Sequence, residues 1–300
     1  TGSVFVQISD ENLHHVREVL DDVFGATNFF ALIPFIKTVG KGGAGLDSVN
    51  DYLIWYCKKL ESVKYKQLYR FRSQKALDQG YTWIDQGHGL RRRLSAMEIR
   101  GATDSPEGKR YITAPLVSQS GGENSAFSVD FNGSSYHPSK GTFWKTNSNG
   151  FDRLIKARRI QGVQSTLTYV RYAEDFPVVR FTNWWDDTKE STFATDKSYV
   201  VQTYTKVIER CVLMCTDPGD LVLDPTCGSG TTAFVAEEWG RRWITCDTSR
   251  VAVTLAKQRL MTASYDYYEL RYPHEGLKGG FIYKTVPHVM LKSIANNPDI

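Results

Sequence analysis

The fold class that this sequence predicts is a doubly wound α/β sheet interrupted by a long insertion. Residues 221–232 predict a buried strand, a tight turn with two glycines and the start of a helix. A second predicted strand, over residues 241–246, ends in Asp247. Residues 2–57 alternate strand and helix in the same manner. Between these regular blocks, over residues 61–189, the periodicity weakens, and this stretch is the predicted insertion.

The opening block predicts one part of the sheet. An apolar run at residues 2–8 indicates a strand, and Asp10 begins a short polar stretch that can cap the helix after it. A second apolar run, at residues 29–36, contains Pro34, which confines it to an edge or an irregular strand. Residues 52–57 indicate a further strand. The chain is thus expected to have three segments: residues 1–60, the opening part of the sheet; residues 61–189, the insertion; and residues 190–300, the ligand-binding part of the sheet.

The insertion is strongly basic. From Lys64 to Arg159 there are seventeen Lys and Arg residues against eight Asp and Glu, so this stretch carries +9 and the remainder −5 of a net charge of +4. Cations interleaved with aromatic residues are typical of a nucleic-acid surface. An ordinary solvated basic surface is the alternative. The arginines predicted to contact phosphate are Arg91, Arg92, Arg93, Arg158 and Arg159.

The glycine loop after the strand at residues 221–224 predicts a ligand site. Glycine lets the backbone approach a ligand closely, and a helix N-terminus offers unpaired N–H groups to a carboxylate or phosphate. Asp247 is placed to hydrogen-bond a ribose hydroxyl. The loop has neither the G-x-G-x-x-G of dinucleotide sites nor the Gly-Lys-Ser/Thr ending of a Walker loop. A helix over residues 251–260 and a strand over residues 280–286 are predicted to follow.

Composition excludes several classes of protein. The sequence contains no run of about 18 apolar residues that would span a membrane. Its first residues lack the basic and then apolar pattern of a signal peptide. Its five cysteines form no paired C-x-x-C motifs, which argues against a metal site and fits a reducing cytoplasm.

The string from Asp224 to Thr232, Asp-Pro-Thr-Cys-Gly-Ser-Gly-Thr-Thr, closely resembles the S-adenosylmethionine loop of amino-methylating DNA methyltransferases. The order of segments is similar to their beta-type arrangement, particularly to the modification subunits of Type III restriction systems. There the catalytic half comes first, the target-recognition region second and the cofactor half last. The resemblance implies a methyltransferase sheet in permuted order, with S-adenosylmethionine as cofactor. The residues that it implies for cofactor binding are Asp224, Thr226, Cys227, Gly228, Ser229, Gly230, Thr231, Thr232, Asp247 and Lys197.

The same resemblance implies the reaction. The expected activity is site-specific methyl transfer to the N6 amino group of adenine in duplex DNA. Cytosine N4 methylation uses the same fold and loops and is one alternative; a non-catalytic DNA-binding module with a vestigial cofactor pocket is another. RNA methylation is disfavoured by the long insertion. Duplex DNA is the expected partner, and a restriction subunit or a second copy of the chain is compatible with the family.

The catalytic motif of that family, Asp/Asn-Pro-Pro-Tyr/Phe, does not occur in the sequence. Asp224-Pro225-Thr226 belongs to the glycine loop, and Asn297-Pro298-Asp299 lacks the second proline and the aromatic residue. We therefore expect the chain to be a fragment that does not methylate DNA alone, and no catalytic residue is assigned. A divergent or inactive homologue is the alternative.

Overall fold

The structure is a computed structural model that describes residues 2–38, 40, 42, 45–104, 106–188 and 203–300. The chain forms two compact units. Unit 1 comprises Thr1–Tyr69 and Arg180–Lys284, and unit 2 comprises Arg70–Val179 and Thr285–Ile300. Within the described ranges, every helix is too short or too polar to cross a membrane.

Short strands outnumber helices in the described part of the chain. The strands are β1 (Ser3–Ile8), β2 (Phe29–Ile36), β3 (Asn50–Cys57), β4 (Tyr69–Phe71), β5 (Trp83–Asp85), β6 (Arg91–Arg93), β7 (Lys109–Pro115), β8 (Val117–Ser118), β9 (Val129–Phe131), β10 (Ser134–Tyr136), β11 (Phe143–Trp144), β12 (Ile160–Val163), β13 (Thr166–Tyr172), β14 (Val178–Arg180), β15 (Leu221–Asp224) and β16 (Arg242–Thr245). The α-helices are α1 (Leu13–Phe24), α2 (Gln74–Gly80), α3 (Ala96–Ile99), α4 (Ser148–Lys156), α5 (Thr205–Cys215), α6 (Thr231–Glu238), α7 (Arg250–Thr262) and α8 (Leu291–Ala295).

Unit 1 contains an antiparallel sheet of order β1-β3-β2. Because successive side chains of a strand point to opposite faces, β3 contributes to two cores. Ile54 and Tyr56 pack with Leu20 of α1, whereas Trp55 packs in a cluster with Val207 of α5. The strand with the proline, β2, lies at one end of the strand order, as the sequence predicts.

The second sheet of unit 1 is the parallel pair β15–β16. Helix α6 packs on both strands and α7 packs on α6. The helix predicted to start within residues 221–232 and the helix predicted over residues 251–260 are confirmed by α6 and α7. The strand predicted over residues 280–286 is wrong. Phe281 makes one isolated bridge to Leu270, and its ring is instead buried beside Tyr268, with ring centroids 5.4 Å apart.

Unit 2 is built on a sheet of order β12-β13-β7-β5-β6. Its core contains Trp144, Phe151 and Leu167, and Ile294 of α8 is buried in the same cluster. The guanidinium of Arg153 in α4 donates to the carbonyl oxygen of Ala295 in α8 at 2.9 Å.

The observed units divide the chain differently from the predicted segments, at both predicted boundaries and in the C-terminal tail. Residues 61–69 and 180–189 group with unit 1, and residues 285–300 group with unit 2. The last of these differences has a clear physical cause. The tail carries apolar residues of α8 that are buried against α4, so it completes the core of unit 2 and not the parallel pair.

Candidate functional site

The turn between β15 and α6 is closed by backbone hydrogen bonds. The Cys227 N–H donates to the carbonyl oxygen of Cys246 at 2.9 Å, and the Gly230 N–H donates to that of Cys227 at 2.8 Å. Helix α6 follows, with Gly230 as its N-cap residue and therefore no side-chain cap. The first N–H groups of a helix have no acceptor within the helix. This end of α6 can therefore donate to a carboxylate or phosphate.

Two glycines permit this path of the chain. Gly228 has φ +52° and Gly230 has φ +77°, a left-handed region that disfavours residues with a side chain. A Cβ on Gly230 would lie 2.8 Å from the Cβ of Ala256 in α7. The loop thus approaches α7 more closely than any larger residue would allow.

Asp247, which follows β16, ties the loop to the neighbouring strand. Its carboxylate accepts the N–H of Ser249 and the N–H of Gly228, each at 2.8 Å. These backbone hydrogen bonds, with the one from Ser249 the stronger influence, lower the pKa of Asp247 below its usual value. A carboxylate offers about four lone-pair positions, so acceptor capacity remains for a ligand hydroxyl.

Asp224, which ends β15, organises the first half of the loop. Its Oδ1 accepts the backbone N–H of Thr226 at 2.9 Å and the hydroxyl of Thr226 at 3.2 Å. Asp224 and Asp247 come at the carboxyl ends of adjacent parallel strands, the edge at which α/β sheets bind ligands. The arrangement offers two carboxylates and a helix N-terminus to a ligand that carries donors and an anionic group.

The predicted cofactor residues do not all present side chains. Cys227, Ser229 and Thr231 are only 4–6% exposed, so their side chains are buried. Thr226 is exposed and Thr232 is half-buried. The predicted residue Lys197 lies outside the described residues.

One residue that contacts the start of α6 is not among the residues predicted from the sequence. Arg259 donates from Nη1 to the hydroxyl of Thr231 at 3.0 Å and thereby anchors the first residue of α6. Helical spacing is the sequence signal that could have pointed to Arg259. Ala252, Ala256 and Arg259 share one face of α7 at intervals of four and three residues, and the two alanines are buried.

The parallel pair also presents exposed apolar side chains. Leu221, Leu223 and Ile244 are 53%, 64% and 54% exposed. Leu223 lies opposite Ile244 in the strand register, and alternate residues of a strand share a face. Among the strands of the described ranges, β15 is hydrogen-bonded to β16 alone, and β1 to β3 alone. Each of these strands therefore has an open edge there.

The five arginines predicted to contact phosphate fall into two groups. Arg91 donates to Asp85 at 2.8 Å, and Arg159 makes a bidentate contact with Asp175 at 2.6 and 2.8 Å. Both arginine side chains are only 15% exposed. Their guanidinium groups are paired with carboxylates inside unit 2, and phosphate contact stays a prediction for these two residues as well.

The other three, Arg92, Arg93 and Arg158, are exposed. Arg92 makes a bidentate contact with Glu98 at 2.6 and 3.0 Å. Arg93 lies over the ring of Trp83, with its guanidinium carbon 5.6 Å from the ring centroid. Phosphate contact stays a prediction for these three residues.

The chain is similar to one protein family and to several known proteins. A family model described as DNA methylase, N6_N4_Mtase, matches residues 1–258. The Type II methyltransferase M.EcaI of Enterobacter cloacae is 23% identical over 266 residues, which are 86% of this chain and 53% of M.EcaI. M2.DpnII of Streptococcus pneumoniae is 44% identical over 54 residues, 18% of this chain and 20% of that protein. The chain thus spans about half the length of the first of these relatives, and less of the second.

Among solved structures, the crystal structure of the M1.HpyAVI–SAM complex is similar over 86% of this chain and 74% of that one. Its sequence identity is 14% and its TM-score is 0.37.

Proposed function

We propose, from the premise that this chain belongs to the DNA methylase family, that it binds S-adenosylmethionine and duplex DNA for methyl transfer to the N6 amino group of adenine. The observation that carries the proposal is the glycine loop tied by Asp247, with the uncapped start of α6 beside it. Support for adenine comes from the resemblance to Type III modification subunits. Cytosine N4 methylation is the alternative within the family.

The residues of the loop fit this cofactor in chemical terms. S-adenosylmethionine supplies an electrophilic methyl group, and it also carries a carboxylate, an amino group and a ribose. The first-turn N–H groups of α6 would hold the carboxylate, since a helix N-terminus favours an anion. Asp224 would accept from the amino group, directly or through water, and Asp247 would accept from the ribose hydroxyls. Gly228 and Gly230 would let the backbone pass under the ligand.

Calorimetric titration with S-adenosylmethionine tests the cofactor role. Asp247→Ala should weaken binding about tenfold or more, since hydrogen bonds to a charged group are among the stronger ones. Thr248→Ala, a change at the exposed neighbouring residue, is the matched control and should leave affinity unchanged. Equal affinity for wild type and Asp247→Ala would remove Asp247 from the site. No binding by the wild type would favour a DNA-binding module with a vestigial pocket.

We further propose that residues 1–300 alone do not methylate DNA. The amine of a DNA base is a weak nucleophile, and in this family the Asp/Asn-Pro-Pro-Tyr/Phe motif holds it in position after the base is flipped out. That motif is absent from the sequence. The open edges of β1 and β15 and the exposed Leu223 and Ile244 are compatible with a further strand and its packing partner supplied by another segment.

Transfer of labelled methyl groups to duplex DNA tests this second proposal. Residues 1–300 should give no transfer, and co-expression with a segment that contains the motif should restore it. Chromatography of the digested product would then distinguish N6-methyladenine from N4-methylcytosine. Robust transfer by residues 1–300 alone would contradict the proposal and require a different group to hold the amine.

A further inference from the structure

We propose that a cleft in unit 2, beside the β5–β6 hairpin, reads duplex DNA, with Arg158 on a phosphate and His88 on a base edge. The inference rests on the proposed function, in which DNA is the substrate, and it names the surface that selects the sequence. The cleft has a volume of about 1190 Å³. It is bounded by the loop between β5 and β6, the turn between β9 and β10, the end of α4 and strand β12.

Unusual backbone conformations gather at this cleft. In the described part of the chain, the residues other than glycine with positive φ are His88, Asn132, Arg158 and Gln164, at 50°, 50°, 55° and 52°. All of them except Gln164 line the cleft. Residues held in the left-handed region without glycine concentrate at functional sites. Asn132 has a local explanation, because it forms an Asn-Gly turn between two hairpin strands. His88 lies in the loop between β5 and β6, and Arg158 follows the C-terminal end of α4, two positions at which glycine is the usual left-handed residue.

Arg158 stands where a helix normally ends on glycine. Its N–H donates to the carbonyl oxygen of Ile155 at 2.9 Å, and the Arg159 N–H donates to that of Leu154 at 2.8 Å. This pair of bonds is the Schellman motif, whose left-handed residue is usually glycine. The Arg158 side chain is exposed, and its guanidinium makes no hydrogen bond or ion pair with the residues that the structure describes. Arg158 therefore occupies a backbone position at which glycine would make the folded chain more stable.

His88 is presented by an anchored loop. It lies between Gly87 and Gly89, whose φ angles are +84° and +83°. The Gly87 N–H donates to the Asp85 carboxylate at 3.0 Å, and the Leu90 N–H donates to the Gly87 carbonyl oxygen at 2.9 Å. The loop base is therefore fixed while the imidazole is exposed, and an imidazole can donate or accept at a base edge.

The electrostatics of the cleft favour a polyanion. Asp85 is the only carboxylate among the described residues that line it. Burial acts to raise the pKa of Asp85, but hydrogen bonds from Tyr172 and Arg91 outweigh it and hold that pKa below its usual value. Asp85 thus stays ionised, and the positive charge of Arg91 compensates its negative charge. Lys109 and Arg158 add further positive charge to the cleft. Lys109 contacts Glu174 at 3.2 Å, but both side chains are more than 60% exposed, so water screens this pair.

The wall of the cleft also holds a fixed neutral donor. Gln161 lines it and accepts the hydroxyl of the buried Tyr111 through Oε1 at 2.6 Å. This bond directs the amide so that its NH₂ group can donate to a ligand. Positive charge at the rim with oriented neutral donors inside is the combination by which proteins hold a phosphate backbone and read bases.

Glycine substitutions in the full chain test the proposal, because they relax the backbone while removing the side chain. Arg158→Gly should melt at the wild-type temperature or higher, yet bind random-sequence duplexes about tenfold more weakly. The slope of log affinity against log salt should flatten by about one. His88→Gly should keep the slope and change the sequence enriched by repeated selection. Gln164→Gly relieves a similar φ outside the cleft and, as the matched control, should bind as the wild type does.

Other outcomes would overturn the inference. These are wild-type affinity and slope in Arg158→Gly, an unchanged selected sequence in His88→Gly, or preference of the wild type for single-stranded RNA over duplex DNA. Titration of the same variants with S-adenosylmethionine separates this failure from failure of the proposed cofactor role. None of the three substitutions should alter that affinity, since their positions lie in unit 2 and the loop lies in unit 1.

Discussion

Each unit contains an aspartate that accepts several hydrogen bonds, but the two aspartates differ in what they bind. In unit 1, Asp247 accepts backbone N–H groups, one from Gly228, nineteen positions away, and one from Ser249, two positions away. In unit 2, Asp85 accepts the guanidinium of Arg91 and the hydroxyl of Tyr172, and Tyr172 is 87 positions away in the sequence. The first network depends on the path of the backbone. The second depends on which side chains the fold brings together.

This difference decides how a substitution acts. A network of backbone donors survives most side-chain changes, but it fails if the glycines that shape the loop are replaced. A network of buried side chains fails when either partner is removed, because the remaining charge is left without compensation. We therefore expect the largest losses of stability from the carboxylates of unit 2, and smaller losses from the loop of unit 1.

The Arg159–Asp175 pair should give the largest effect. Asp175 is 5% exposed, and besides Arg159 it accepts the backbone N–H of Tyr172 at 2.7 Å. Asp175→Ala should lower the free energy of unfolding by about 3–5 kcal/mol, since it strands a largely buried guanidinium. Urea unfolding followed by fluorescence measures this change. Lys109→Ala, which removes one partner of an exposed pair, should cost less than about 1 kcal/mol. Comparable losses in both variants would show that Arg159 is readily solvated.

The sequence predicts the structure correctly where the functional groups and the turns that position them lie in one short stretch of the chain. The glycine loop, α6 and α7 follow from local patterns: an apolar strand, two glycines, and an acid at the end of the next strand. The carboxylate partners of Arg91 and Arg159 do not follow from the sequence, because a run of arginines looks the same whether its members face solvent or distant carboxylates. Asp175 lies sixteen positions from Arg159, and nothing in the local pattern links the two.

Phe281 and Arg158 show a second limit of prediction from the sequence. Phe281 lies in an apolar run that fits a strand, but a ring contact decides its position. The positive φ of Arg158 cannot be read from composition, since it arises where α4 ends and the chain turns toward β12. Tertiary packing selects these conformations from several that the local sequence allows.

A substitution at Gly230 tests the loop, and we expect it to have an intermediate effect on the free energy of unfolding. Gly230→Ala places a side chain at φ +77°, with its Cβ 2.8 Å from that of Ala256, and should cost about 2–3 kcal/mol of unfolding free energy. Gly101 is the matched control, because its φ is +69° and a Cβ there would meet nothing within 4 Å. Gly101→Ala should cost only about 1 kcal/mol, the conformational part. Equal losses at the two positions would mean that α7 shifts away without cost.

The smallest effect, and the one most specific to the backbone network, is the pH dependence of Asp247. Its pKa is lower in the folded chain than its usual value, because the Ser249 and Gly228 N–H groups stabilise the carboxylate. Its contribution to stability is therefore fully present above the unfolded pKa, about 3.9, and is lost as pH falls through the lower folded value. Asp247→Asn replaces one acceptor oxygen by an NH₂ group that faces a donor. Urea midpoints of wild type and Asp247→Asn should differ above about pH 5 and converge as the pH falls below 4. A difference that does not change with pH would show that the hydrogen bonds of Asp247, and not its charge, hold the loop.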